Sequence, residues 1–171
     1  MTARGLTTRF ISDDSMYYSR MIIHALVIAL VLQPPAGKLV LRAHAQGDQI
    51  YTCQQNAYTF SWGLKAPDAR LLDDSNRVIG RHFAGPTWQL KDSSQVVGRP
   101  IAKQDASEPN AVPWLTLVAV STTGHGVLEH VKTIRRINTH GGQPPAGGCD
   151  QSHLGAELRV PYTAEYDFYA D

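Results

Sequence analysis

Residues 72–81, Leu-Asp-Asp-Ser-Asn-Arg-Val-Ile-Gly-Arg, return eighteen positions later as residues 90–99, Leu-Lys-Asp-Ser-Ser-Gln-Val-Val-Gly-Arg. Six of the ten positions are identical, and Ile79 against Val97 is a near match. In each copy a polar cluster precedes two β-branched residues, then Gly and Arg. Asp, Asn and Ser close turns through side-chain bonds to nearby backbone, and β-branched side chains favour the pleat. The repeat therefore predicts paired hairpins in the middle of the chain. It carries no chemistry of its own.

The flanking segments point the same way. Lys38–His44 sets Leu39, Leu41 and Ala43 on one face, and Gln49–Cys53 and Tyr58–Trp62 follow as further strands. Pro113 opens the most apolar run, Trp114 to Val120. Thr123-Gly124-His125-Gly126 reads as a turn into Val127–Asn138, where Leu128, Val131 and Ile134 also suit a helix, but the lack of caps and the β-branched residues favour a strand. Leu158, Val160, Tyr162, Ala164, Tyr166 and Phe168 alternate without a break, and Pro161 places that strand at a sheet edge. Short runs with turn signals every eight to twelve residues predict an all-β, antiparallel sandwich or flattened barrel of about nine to eleven short strands.

A chain of 171 residues is long enough for one self-sufficient core. Sixteen Lys and Arg against fifteen Asp and Glu leave a net charge of +1, with no basic run beyond Arg135-Arg136. That excludes the electrostatic footprint of a nucleic-acid-binding protein. Gln33-Pro34-Pro35-Ala36-Gly37 marks a boundary, because paired prolines stop a preceding element. The expected organisation is an extension over 1–33 and a single β-rich domain over 34–171.

Within the extension, residues 22–32 are an uninterrupted apolar run except for His24. Eleven residues are too few for a transmembrane span, which needs about 20, but suit the apolar region of a signal peptide. The fit is imperfect: Asp13 and Asp14 precede the run, no small-x-small cleavage site follows it, and Met21 is an alternative start. A short helix or a first strand is the other reading of the run. The expected location is extracellular, periplasmic or in the cell envelope. The cysteines, Cys53 and Cys149, read with that choice. In an exported chain they form one disulfide closing a loop of about a hundred residues, worth up to ~4.7 kcal/mol; in the cytosol they are two free thiols.

Signatures of nucleotide-binding, hydrolytic-elbow and zinc sites are absent from the sequence. His140, Cys149 and His153 cluster within fourteen residues, but their spacing fits no zinc module and no metal or cofactor is assigned. His125 and His130, beside the turn, are no better placed. The strongest catalytic candidate is His82, in Arg81-His82-Phe83-Ala84-Gly85-Pro86-Thr87-Trp88, an imidazole that would need an acid such as Asp74 or Asp92. Trp88, Arg136, Asn138 and Thr139 are candidate binding residues, through ring stacking and through guanidinium and amide donors. Against these stand blander roles: a His bonded to its own turn, a strand end stitched to a loop. Trp62, Trp88 and Trp114 by default fill the core.

Several dispersed stretches carry a resemblance. Gln49-Ile50-Tyr51-Thr52-Cys53, His82 through Trp88, Pro113-Trp114-Leu115, Arg136-Ile137-Asn138-Thr139 with Gly141-Gly142, Cys149-Asp150 and Pro161 through Tyr169 occur in order over residues 34–169. Together they resemble an uncharacterised domain family of bacteria and filamentous fungi, the domain of unknown function numbered 3455. The resemblance implies a signal peptide and a Cys53–Cys149 disulfide, and no activity or cofactor. The function expected from these observations is an exported binding or structural module, with a cell-surface glycan or a protein as partner. The alternatives are a small hydrolase using His82 with a nearby Asp, and a metal-binding envelope protein.

Overall fold

The computed structural model describes residues 35–171; the apolar run at 22–32 and the boundary before Pro34 lie outside them. Eight antiparallel strands follow one another around a closed ring: β1 (Lys38–Asn56), β2 (Thr59–Leu72), β3 (Val78–Phe83), β4 (Thr87–Leu90), β5 (Gln95–Gln104), β6 (Trp114–Thr123), β7 (Val131–Gly141) and β8 (Glu157–Ala170). Each strand pairs with its neighbour in sequence, and β8 returns to pair with β1 from Lys38↔Ala170 to Thr52↔Glu157. Closure leaves the ring without a terminal strand. The fold is thus the all-β antiparallel architecture expected from the turn spacing, in its barrel form, with eight strands instead of nine to eleven.

The count falls because the strands are long. The Lys38–His44 and Gln49–Cys53 runs are two halves of β1, continuous through Gly47. That glycine marks close approach and not a turn: a Cβ on it would lie 2.1 Å from the Asp68 carbonyl oxygen and 2.5 Å from Ala69 Cα. Val127–His130, expected as the start of a strand, instead forms a loop that closes one end of the barrel. Leu128 is fully buried there. Asp92 Oδ2 accepts from Val127 N at 3.0 Å, and Ser94 Oγ accepts from Leu128 N at 3.2 Å. Pro161 is not on a sheet edge as its type suggested, since β8 has a partner on both sides. It sits one residue beyond the last β7–β8 pair, Gly141↔Tyr162, where a missing N–H costs that ladder nothing.

Both copies of the repeat form hairpin turns, one residue out of step with the sequence alignment. Asn76 N donates to Asp73 O in the first, and Ser93 N to Leu90 O in the second. Asn76 and Ser93 take positive φ, 59° and 70°. A bulge between Leu71 and Leu72 absorbs the extra residue of the first copy.

Alternation fills the interior. Ala43, Ala45 and Ala69 on β1 and β2 leave room for Trp88, Tyr166 and Phe168, and Leu71, Val96, Leu117 and Ile134 complete the core. Gly98 serves the same packing, since a Cβ there would stand 3.0 Å from Trp88 Cζ3. Cys53 and Cys149 form a disulfide that ties the end of β1 to the loop between β7 and β8. Trp62 Nε1 adds a hydrogen bond to Gly147 O in the same loop, at 2.9 Å.

Candidate ligand cavity inside the barrel

Two of the eight staves are short. The β2–β3 ladder covers only Ala69–Leu72, and β4 meets β5 only over Thr87–Gln89. Beyond the β3–β4 turn, β2 continues to its start at Thr59 and β5 to Gln104, each paired on its other side only. The wall therefore has a notch above that turn. Leu64 on β2 and Ile101 on β5, both more than half exposed, stand on its two sides.

A cavity of about 220 Å³ runs from this notch into the barrel. Its outer lining includes Leu64, Lys65, Gly85, Pro86 and Pro100; its inner lining includes Gln49, His82, Trp88, Arg136 and Tyr166. Strand alternation explains the inner set. His82 and Trp88 are opposite residues of the β3–β4 ladder, and Arg136 and Tyr166 are opposite residues of the β7–β8 ladder. Residues paired across a ladder share a face, and all four point inward. Their rings pack: His82 stacks on Trp88 with centroids 4.4 Å apart and planes 8° from parallel, and Tyr166 meets both edge-on at 5.0 and 5.2 Å.

The polar atoms of this set are only partly satisfied. His82 Nδ1 donates to Thr87 O at 2.8 Å, which leaves Nε2 as the acceptor of the neutral ring. Arg136 donates through Nε and Nη2 to Pro113 O at 3.0 and 2.8 Å. Gln49 Nε2, Trp88 Nε1 and the Tyr166 hydroxyl are buried without a hydrogen-bond partner among the described residues. An unpaired buried polar group costs roughly 1–3 kcal/mol, so three around one cavity call for an explanation.

Burial also sets the protonation of the site. Desolvation, with the nearby Arg136 charge adding to it, outweighs the Thr87 hydrogen bond and pulls His82 down to about 3. Desolvation likewise pushes the Tyr166 phenol up. At neutral pH the imidazole and the phenol are both uncharged.

The residues singled out in the sequence separate into two groups. His82, Trp88 and Arg136 come together in the cavity. Asp74 and Asp92 do not join them, which corrects the pairing envisaged for a hydrolase. Asp74 is exposed and 3.1 Å from His44 Nε2. Asp92 accepts from Ser94 N and Oγ at 2.8 and 2.6 Å as it holds the end-closing loop. Burial would raise the Asp92 carboxyl, but these bonds prevail and hold it below its ordinary value. Thr139 Oγ1 donates to Val112 O at 2.6 Å, so it stitches β7 to the loop between β5 and β6. Asn138 forms an irregularity of β7 with φ 48° and faces an outer depression with His44 and His140. The histidine–cysteine cluster is dispersed by its own partners: Cys149 is in the disulfide, His140 pairs with Glu108, and His153 Nδ1 lies 2.8 Å from Asp150. His125 pairs with Glu129 at 3.1 Å. Trp62 and Trp114 are half-buried outside the core cluster. Gln49 and Tyr166 are the cavity residues that sequence reasoning missed. The one signal for Gln49 was a polar residue in step with Ala43, Ala45 and Tyr51.

A second depression, on the outside of β1, β2 and β8, is lined by Asp48, Asp68 and Arg159, which pair with one another. Arg159 there is paired with both carboxylates, and Arg70 in the same lining donates to Gln46 Oε1 at 3.3 Å.

A family model described as a protein of unknown function, DUF3455, matches residues 34–170. The chain belongs to that family. No curated protein and no solved structure matches it. The match spans the whole barrel, so every residue of the cavity falls within the family domain. Among the described residues no helix is long and apolar enough to cross a membrane.

Proposed function

We propose that this DUF3455 domain is a binding protein that takes a small molecule into its barrel. The observation that carries this reading is the cavity behind the notch, a mostly apolar space lined by Gln49, Trp88 and Tyr166, each with a buried polar atom that has no partner among the described residues. Ligand sites are concave, largely apolar and fitted with a few placed polar groups, and a barrel of eight strands has an interior that side chains fill or that holds one small ligand. A cavity of about 220 Å³ exceeds the ~150 Å³ of an engineered cavity that binds benzene, which sets the size near one ring with a substituent. The stacked His82–Trp88 pair and the edge of Tyr166 offer an aromatic wall for such a body.

On this reading the ligand lies inside the barrel and not on an outer glycan- or protein-binding face. The hydrolase reading comes second, because His82 is a neutral, buried imidazole with no carboxylate beside it among the described residues. Export remains part of the proposal. A disulfide persists in oxidising compartments, and the apolar run at 22–32 has the length of a signal-peptide core.

The test is heteronuclear NMR of the domain titrated with a series of single-ring compounds. Saturable shifts centred on His82, Trp88 and Tyr166 are expected. Shifts scattered over the outer faces, or none from any member of the series, overturn the reading.

A further inference from the structure

The charge inside the barrel narrows the ligand class, resting on the reading of the cavity as a binding site. Arg136 is 9% exposed, and its acceptor among the described residues is a single backbone carbonyl, Pro113 O. A guanidinium does not give up its proton, so its charge is retained in the interior. A buried cation with no counter-ion is costly unless paired. Among the described residues no Asp or Glu lines the cavity. Tyr51, His82, Tyr162 and Tyr166 feel the Arg136 charge, and all four are uncharged at neutral pH. Lys65, the other cation of the lining, is at the rim and already paired with Glu157.

Hydrogen-bonding capacity leans the same way. The unpartnered atoms of Gln49, Trp88 and Tyr166 are an amide N–H, an indole N–H and a phenolic hydroxyl, which donates as well as accepts. Together with Arg136 they make a donor-rich interior. His82 Nε2 is the one ring acceptor facing them. A ligand that suits this set brings acceptors and a negative charge on an apolar body. A guanidinium and a carboxylate match in geometry as well as charge.

We propose that the barrel's ligand is a small monocarboxylic acid, whose carboxylate docks on Arg136 while its apolar body lies against Trp88 and Tyr166. Gln49 and the Tyr166 hydroxyl supply further donors to the same oxygens. The apolar rim at Leu64, Pro86 and Pro100 favours passage of the hydrocarbon portion.

Isothermal titration of the full chain with phenylacetate and with phenylacetamide tests this, because the two probes share a shape and differ in charge. Phenylacetate is expected to bind about tenfold tighter, as a charge-assisted pair outweighs a neutral hydrogen bond. Arg136→Gln should abolish the difference, so that phenylacetate binds no tighter than phenylacetamide. Equal affinities in the wild type, or a preference for the amide, overturn the carboxylate assignment and leave interior binding standing. Saturable binding of neither probe overturns both. Should Arg136→Gln fail to fold, the acid-to-amide ratio of the wild-type protein decides alone.

Discussion

Acidification should weaken this barrel, and His82 carries a share that can be separated from the rest. The unfolded imidazole takes up its proton near pH 6.5, whereas the buried ring holds off until about 3. Between those values the unfolded chain carries the extra proton, so lowering the pH favours unfolding. The contribution is fully present above about pH 6.5 and is lost progressively as the pH falls toward 3. Each unit is worth 1.36 kcal/mol, so the loss is about 2.7 kcal/mol at pH 4.5 and about 4.8 kcal/mol below pH 3. His82→Asn isolates the effect, because its amide N–H can still donate to Thr87 O while nothing titrates. Urea unfolding at pH 7 and pH 4.5 should show the wild type losing about 2.7 kcal/mol more than the variant. Carboxylates held low by hydrogen bonds, such as Asp73 beside Arg77 and Asp150 beside Ser152, titrate in both proteins and cancel. Parallel pH profiles, differing by under about 0.5 kcal/mol, would refute the claim that the folded barrel keeps this imidazole dry and neutral.

Two further perturbations follow from the packing. Gly98→Ala sets a methyl group 3.0 Å from the Trp88 ring and should cost about 1–3 kcal/mol in thermal or urea unfolding, with a changed Trp88 near-ultraviolet signal; an unchanged midpoint would show that the ring has room to move. Reduction of the Cys53–Cys149 disulfide, which spans 96 residues, should lower stability by about 4 kcal/mol, read as the difference between oxidised and reduced unfolding curves; coincident curves would mean that the link constrains the unfolded chain little.

Much of the fold can be read from the linear order. The alternation from Leu158 to Phe168 becomes β8, and both copies of the Asp-Ser repeat become turns between adjacent strands. Strand length is less legible. Gly47 within Gln46-Gly47-Asp48 has the composition of a break, but its lack of a side chain serves the close contact of β1 with Ala69. Local signals cannot separate those roles, because the close contact exists only after the ring has formed. Val127–His130 is misread for a related reason. Leu128 gives it a strand-like apolar residue, and the Asp92 and Ser94 bonds that make it a loop come from 34 and 35 residues away.

The candidate site shows the same limit. His82, Trp88 and Arg136 stand out as residue types, and nothing in their order says that β3, β4 and β7 aim them at one volume. Gln49 and Tyr166 join them through the pairing of β1 and β8, the last neighbours in sequence to be the first in space. The carboxylates that seemed natural partners for His82 are turn residues on the opposite end of their hairpins. Position within a hairpin, and not proximity in sequence, decides which side chains reach the interior.

The gap above the short β3–β4 hairpin has one more consequence. Two stretches of main chain, Thr59–Asp68 and Arg99–Gln104, present edges that an extended segment from another molecule could extend by ladder pairing. Each carries a proline, Pro67 or Pro100, and a lysine, Lys65 or Lys103, which interrupt and repel such additions. The same opening that admits a compact guest thus turns away an extended one, and crowding alone should not drive these barrels into fibres.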